Sequence, residues 1–371
     1  MTVTETLEVP ETREAPAAPG PAAPESLTFA KALNTALADE MEANPAVVMF
    51  GEDVGPLGGV FRITDGLTAR FGQDRCFDTP LAESGIMGMA VGMAMNGMRP
   101  VVEMQFDAFA YPAFEQVVSH VAKTANRTRG KVRLPMVIRI PYAGGIGGVE
   151  HHCDSSESYY AHTPGLTVVA PATVADAYTL LREAIRLNDP VVFLEPKKLY
   201  WTKEQVDLAA LRSRFDAEDV TGDVTAHDDG GPLPGGIGTA AVARSGTHAT
   251  LIAYGPSVAT AMAAAEAAAE EGRSLEVIDL RSIVPFDDET VTASVRRTGR
   301  AVVISEAPGF ASVASEIVAR VQERCFHSLA APVLRVTGFD IPYPAPKLEH
   351  WFLPSVDRIL DTVDELQWED R

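Results

Sequence analysis

The stretch FDTPLAESGIMGMAVGMAMNGMRPVVEMQF, Phe77–Phe106, changes its periodicity part-way, and that change decides the fold. Gly85–Gly97 carries no charged residue, yet it is shorter than the roughly 20 apolar residues a membrane span needs. It reads as a core helix starting near Glu83 or Ser84, where an anion suits the free N–H groups and the helix dipole. VVEMQF then follows as a short, branched, nearly continuous apolar run, the pattern of a strand covered on both faces. Glu83 has two readings. It is either a helix-start anion or a carboxylate held in an apolar cleft for acid–base chemistry.

Working outward, the same alternation continues. AVVMF, PMVIRI, LTVVA and PVVFLE repeat the buried-strand pattern, and FAKALNTALADEMEANP, Pro112–Asn126 and Val174–Leu187 repeat the helical one. Strands alternating with helices imply an α/β fold with a doubly wound parallel sheet, whose ligands bind at the strand C-termini. Near Asp216 the chain becomes rich in Gly and Asp and loses its periodicity, as a linker or surface excursion does. Beyond it, ATLIAYG, LEVIDL, RAVVISE and PVLRV are strands again, with helices over SVATAMAAAEAAAEEG and ASVASEIVARVQERCF. The expected organisation is a disordered Pro/Ala-rich leader over 1–26, an α/β domain over 27–205, a linker over 206–248 and a smaller α/β domain over 249–371.

Composition excludes several classes. Lys+Arg 31 against Asp+Glu 51 gives a formal net charge of −20, which disfavours nucleic acid or an anionic membrane as partner. Cys76, Cys153 and Cys325 are far apart and form no CxxC pair, so neither a disulfide framework nor a zinc pattern is present. That usage fits a reducing cytosol, and the acidic N-terminus lacks the basic and apolar regions of a targeting peptide. A cytoplasmic protein is expected.

Two further stretches carry chemistry-bearing residues. In VVEMQFDAFAYPAFEQ, Glu103, Gln105 and Asp107 alternate with apolar positions at the end of a buried strand; each must be hydrogen-bonded or kept for a ligand. In IPYAGGIGGVEHHCDSSESYYAH, Gly144, Gly145, Gly147 and Gly148 give a backbone that can approach a ligand closely. His151, His152 and His162 lie with Asp154 and Glu157 in the same stretch. Adjacent histidines do not suit one-face metal ligation, so a catalytic histidine on a strand-end loop is the better reading. GGIGG runs into histidines rather than a helix, which rules out a dinucleotide fingerprint.

These motifs, in this order, resemble the β subunit of thiamine-diphosphate-dependent 2-oxo acid dehydrogenases. The likeness runs from MFGEDVGPLGGVFRITDGLTARFG through RCFDTPLAESGIMGMAVGMAMNGMRPVVEMQF, HHCDSSESYYAHTPGLTVVAPAT, VVFLEPKKLYW and EVIDLRSIVPFD to ISEAP and ASEI, so it spans nearly everything after Leu27. The resemblance implies a pyrimidine-binding domain followed by a transketolase C-terminal-like domain. It implies that Glu83 hydrogen-bonds the aminopyrimidine of thiamine diphosphate and favours the imino form that removes the thiazolium C2 proton. A dry cleft enlarges that electrostatic bias. Leu81, Gln105 and Phe109 would line the pocket with Glu52 nearby, and His152 matches the histidine linked to acyl transfer onto a lipoyl arm.

Departures matter too. Phe109 stands where relatives often carry Tyr, Leu187 replaces the aspartate of the family's structural potassium site, and ISEAP lacks a histidine that often precedes its glutamate. The GDG…NN motif for Mg²⁺ and diphosphate is absent from this sequence, so no metal ligand is assigned here. The resemblance therefore implies a separate α subunit holding Mg²⁺ and the diphosphate, an α2β2 heterotetramer, and docking to a lipoylated acyltransferase core through its subunit-binding domain. A small 2-oxo acid is the implied substrate. GGVFR, DTPLAESG and EMQF favour the branched-chain type over pyruvate dehydrogenase. Half of a split transketolase-like carboligase and a non-catalytic scaffold are the other readings.

Overall fold

The structure is a computed structural model in which residues 24–216 and 236–366 are described. The leader up to residue 23 and the Gly/Asp-rich centre of the joint, 217–235, lie outside them. Fourteen strands occur among the described residues: β1 (Glu25–Thr28), β2 (Val47–Gly51), β3 (Cys76–Asp78), β4 (Arg99–Glu103), β5 (Val137–Tyr142), β6 (Thr167–Val169), β7 (Val191–Pro196), β8 (Lys203–Val206), β9 (Ala241–Arg244), β10 (Ala249–Ala253), β11 (Leu275–Asp279), β12 (Ser282–Val284), β13 (Ala301–Pro308) and β14 (Leu334–Gly338).

They form two larger sheets and a ribbon. The first sheet runs β12-β6-β7-β5-β4-β2-β3 and is parallel apart from β12, which pairs antiparallel with β6. The second runs β14-β13-β10-β11-β9, with β9 its antiparallel edge. β1 and β8 pair antiparallel as the ribbon. The fold is α/β throughout, as the alternating pattern predicts. The joint carries more structure than its composition suggests: β8, a helix over Leu208–Asp216 and β9 fall within or at the edge of 206–248. β12, from the second half of the sequence, closes the edge of the first sheet. Accordingly one apolar core runs through both halves, joining Val168 and Leu194 to Ile252, Ile278 and Val303.

Caps explain the helix boundaries. Thr28 accepts from the Lys31 N–H at the head of Phe29–Ala43, and Thr173 accepts from Asp176 at the head of Val174–Arg186. These two helices pack together through a buried ion pair, Glu40 accepting from Arg182 Nε at 2.6 Å and Arg186 Nε at 3.0 Å. The continuous helix expected over Pro112–Asn126 is broken. It is helical over Tyr111–Gln116, then the Ala122 N–H reaches five residues back to the Val117 carbonyl at 2.9 Å, a π-type turn. Gly165 abuts that turn so tightly that a Cβ there would meet the Ala122 carbonyl oxygen at 2.0 Å.

The apolar run with which the sequence was read is a helix over Glu83–Met95. It is not buried all round. Ile86, Met87, Ala90 and Ala94 face the core, whereas Gly85, Gly88, Gly92 and Met95 are exposed. An uncharged helix face is thus left open by this chain.

Candidate active site

The site lies where the parallel strands of the first sheet end. β3 and β4 are consecutive in sequence yet flank β2 on opposite sides, so the segments leaving β2 and β4 diverge and open a crevice. Glu52 and Asp53 leave β2, Thr79–Glu83 leave β3, Gln105–Phe109 leave β4, and the histidine loop leaves β5.

Glu83 occupies the first turn of its helix, half-buried, where an anion suits the helix dipole. Glu52 is buried, and its Oε1 has no hydrogen-bond partner. Burial raises its pKa, and the charges of Glu83 and Asp53 raise it further. One buried carboxylate oxygen is therefore left unpartnered within reach of the charge of a second, half-buried carboxylate. The Thr79 hydroxyl, a residue the motifs did not single out, is likewise buried and unpartnered. Gln105 Nε2 donates to Asp53 Oδ2 at 2.8 Å, which fixes the amide beside the two glutamates. Leu81 projects at the mouth, 80 % exposed.

Phe109 forms an aromatic wall without a hydroxyl. Phe106 and Phe109 meet edge to face, and the His152 ring packs edge-on against both, with centroids 4.4 and 5.4 Å away. Phe61 extends the wall by packing on Phe106. His152 is thereby joined to the segment after β4 that carries Gln105. His151 points outward, its Nδ1 3.2 Å from Glu150 Oε1, and His162 lines a separate cleft with Arg320 and Glu316. Among the described residues no three His, Cys, Asp or Glu side chains converge as metal ligands.

The remaining polar positions are committed to structure. Glu103 accepts from Arg139 Nη1 at 2.6 Å, and Arg139 forks onto Glu195 at 2.7 and 2.8 Å. Burial opposes the charge on Arg139, but Glu195 and Glu103 outweigh it and hold the guanidinium above its usual range. Asp107 accepts from both the backbone N–H and the hydroxyl of Ser156; burial pushes its carboxyl up to about 7. The glycine loop does make close approaches, but within the chain: a Cβ on Gly144 would meet the Tyr343 hydroxyl of the second domain at 2.0 Å, and one on Gly145 would meet Lys198 of the first at 2.6 Å. Glu306 of ISEAP is buried and accepts from the Gly144 N–H at 3.1 Å.

The loop beyond Val174–Arg186, where the resemblance implies a potassium site, receives a guanidinium. Arg99 Nη1 donates to the carbonyls of Ile185, Arg186 and Leu187 at 2.9–3.1 Å, and Nη2 to Asn188 Oδ1 at 2.6 Å. That side chain provides fixed positive charge at the helix C-terminus.

Two sheets joined through one core, with a carboxylate-lined crevice at the ends of the first, define a transketolase-type architecture. Residues 25–202 match the family described as "Transketolase, pyrimidine binding domain", and residues 238–359 match "Transketolase, C-terminal domain". Among curated proteins, "Pyruvate dehydrogenase E1 component subunit beta" of Leifsonia xyli subsp. xyli (strain CTCB07) is 52 % identical over 351 residues, covering 94 % of this chain and 98 % of that protein. "3-methyl-2-oxobutanoate dehydrogenase subunit beta" of Mycobacterium tuberculosis (strain CDC 1551 / Oshkosh) is 51 % identical over 343 residues, covering 92 % of each. A solved structure titled "Split gene transketolase, inactive beta4 tetramer" superposes with a TM-score of 0.69 at 22 % identity, covering 92 % of this chain and 98 % of that one, a likeness of fold. The chain belongs to the β-subunit family of thiamine-diphosphate-dependent 2-oxo acid dehydrogenases.

Proposed function

We propose that this chain is the β subunit of the decarboxylating component of a branched-chain 2-oxo acid dehydrogenase, acting in the cytoplasm as half of a shared active site. The observation that carries the reading is the acidic crevice itself: half-buried Glu83 beside buried Glu52, whose Oε1 lacks a donor. Acceptors left unpaired in a buried place cost about 1–3 kcal/mol each, so the crevice is organised around a ligand that brings donors. The ring edge of an aminopyrimidine has that chemistry.

When bound, thiamine diphosphate supplies the electron sink that decarboxylation of a 2-oxo acid requires. On binding, Glu83 would accept a hydrogen bond from the ring N–H that the aminopyrimidine carries in its imino form, and so would bias the tautomer toward it. Glu52 adds acceptor capacity. Gln105, anchored by Asp53, orients the polar edge of the pocket, while Leu81 and Phe109 exclude water. His152, held edge-on by Phe106 and Phe109, can move a proton during acyl transfer to a lipoyl arm.

The open, uncharged face of Glu83–Met95 supports a cleft completed by another chain, an α subunit carrying Mg²⁺ and the diphosphate in an α2β2 assembly. A lipoylated acyltransferase core, reached through its subunit-binding domain, is the partner downstream. The hydroxyl-free wall of Phe106 and Phe109 and the GGVFR, DTPLAESG and EMQF motifs support a branched substrate. Each extra buried methylene adds about 0.8 kcal/mol. A relative named for pyruvate at 52 % identity stands beside one named for 3-methyl-2-oxobutanoate at 51 %, so pyruvate is the competing substrate.

The test is reconstitution with the α subunit. Glu83→Gln should assemble normally and lose most decarboxylation, and the wild-type pair should prefer 3-methyl-2-oxobutanoate to pyruvate. Unchanged turnover in Glu83→Gln would remove the assigned role; a preference for pyruvate would reverse the substrate.

A further inference from the structure

The loop that carries His152 is tied at two levels. At its base the Ala143 N–H donates to the Asp154 carbonyl at 2.8 Å, so the segment leaves and rejoins the sheet edge at nearly one point. Across its tip lies one carboxylate of the second domain. Glu349 Oε1 accepts from the Gly145 N–H at 2.8 Å and the Gly147 N–H at 3.3 Å, and Oε2 accepts from Gly147 at 3.2 Å. Tyr343, also of the second domain, donates its hydroxyl to Glu349 Oε1 at 2.6 Å.

Glycine is what permits this. Gly145 and Gly147 hold φ of +86° and +69°, left-handed values that let their two alternate N–H groups point at a single anion, much as a backbone nest does. The anion such a nest selects is here supplied from within the chain. An apolar contact reinforces it, since Cys153 packs with Tyr343 and Phe352, and Ile146 rests on the same cluster.

The link from tip to imidazole is short. Gly148 lies so close to the end of the loop that a Cβ there would sit 2.8 Å from Cys153 Sγ and 3.3 Å from His152 Cβ. Any displacement of Gly145–Gly148 is therefore passed to His152 by contact.

We propose that Glu349 is a positioning residue for the reaction: its carboxylate clasps the glycine tip and thereby holds the His152 ring against Phe106 and Phe109. The inference rests on the reading of His152 given above. It gives the second domain a part in the chemistry although that domain contributes no residue to the crevice named so far. Removing the clasp frees the loop on its Ala143–Asp154 base, and the histidine loses its fixed direction while Glu83 and Glu52, on other strands, stay in place. Acyl transfer then suffers and decarboxylation does not.

The experiment uses the full chain reconstituted with its α subunit. Glu349→Ala is compared with Glu349→Gln, Tyr343→Phe and His152→Ala for dye-linked decarboxylation, for acylation of a lipoyl domain, and for amide hydrogen exchange over 143–154. Glu349→Ala is expected to lower lipoyl acylation at least tenfold, to leave dye-linked turnover within twofold, and to speed exchange at Gly145 and Gly147. Glu349→Gln, which keeps one acceptor oxygen, should fall between, and Tyr343→Phe should show a small loss with the fold intact. Unchanged exchange in Glu349→Ala overturns the clasp. So does unchanged acylation in Glu349→Ala when His152→Ala abolishes it. Normal acylation in His152→Ala instead overturns the role given to the histidine, and faster exchange in Glu349→Ala would then still uphold the clasp.

Discussion

Replacing Arg139 by Met tests the support beneath the crevice. Arg139 is fully buried on β5 and bridges Glu103 on β4 to Glu195 on β7, so it stitches together the three strands whose ends carry Gln105, the histidine loop and Lys197. Met fills much of the volume but leaves two buried carboxylates without their cation, and Glu195 keeps the Tyr200 hydroxyl at 2.8 Å. Breaking a buried pair by removing one partner costs about 3–5 kcal/mol, more than the pair itself contributes relative to apolar packing, because desolvation of the survivors is no longer offset. Urea unfolding followed by near-ultraviolet circular dichroism should move to a lower midpoint by about 1 M or more. Burial already raises the Glu103 carboxyl above its unfolded value, and removing the opposing charge of Arg139 raises it further. Its protonated form is favoured by folding, so part of the loss returns as pH falls toward about 4.5. Adding Glu103→Gln and Glu195→Gln should recover at least half of it at neutral pH. A loss under about 1 kcal/mol, or a triple variant no better than the single one, would refute this account of the triad.

Other perturbations read different parts of the molecule. Arg99→Ala removes the donors to three consecutive carbonyls and should lower stability by about 1–3 kcal/mol, measured by denaturant midpoint. Gly165→Ala drives a Cβ into the Ala122 carbonyl at φ +103°, where neither backbone can yield cheaply, and should cost at least about 2 kcal/mol by the same measurement. Burial pushes the Glu157 carboxyl up to about 7, against the opposing hydrogen bond from Tyr254. Its folded pKa exceeds its unfolded one, so its contribution is present at acid pH and fades as pH rises from about 4.5 to about 7. Glu157→Gln should flatten stability over that window, by at most about 1.4 kcal/mol per pH unit. A profile as steep as wild type would assign the titration elsewhere.

Much of the architecture was legible because strand and helix leave local marks. AVVMF, VVEMQF and PMVIRI are apolar on both faces because both faces are covered, and that coverage is written into each short run. β12 left no such mark. Ser282–Val284 is three residues long and pairs antiparallel with β6 more than a hundred positions upstream, a choice made by tertiary packing alone. In the site, Glu83 stood out because a charge at the head of an uncharged helix is conspicuous. Glu103 and Asp107 read from the sequence as structural or functional alike. Only the positions of Arg139 and Ser156 reveal that both are satisfied from within the fold. The four glycines point to close approach by a ligand, whereas the approaches in the fold are made by Tyr343 and Glu349; sequence spacing cannot reveal residues about two hundred positions away. Thr79 went unnoticed because a buried hydroxyl is recognised by its missing partner, a property of coordinates rather than of residue order.

The charges around the crevice bear on why a second chain is needed. Glu52, Asp53, Asp78 and Glu83 all stand at the ends of β2 and β3. Asp53 is held by Gln105, and Asp78 Oδ1 accepts from the Gly55 N–H at 2.6 Å, both neutral donors that bring no positive charge. Such a surface attracts hydrogen-bond donors and repels anions. A diphosphate brought to it would meet like charge in a region of reduced dielectric, where repulsion at about 4 Å reaches roughly 4 kcal/mol per pair at an effective dielectric near 20. On the proposed reading the aminopyrimidine and the diphosphate of one cofactor make opposite electrostatic demands, and this face suits only the first. Dividing them between two chains would let each wall of the cleft keep the charge its end of the cofactor requires. It would also make activity conditional on assembly, since the unpartnered Glu52 Oε1 would gain a donor only when the opposite wall holds the cofactor's other end.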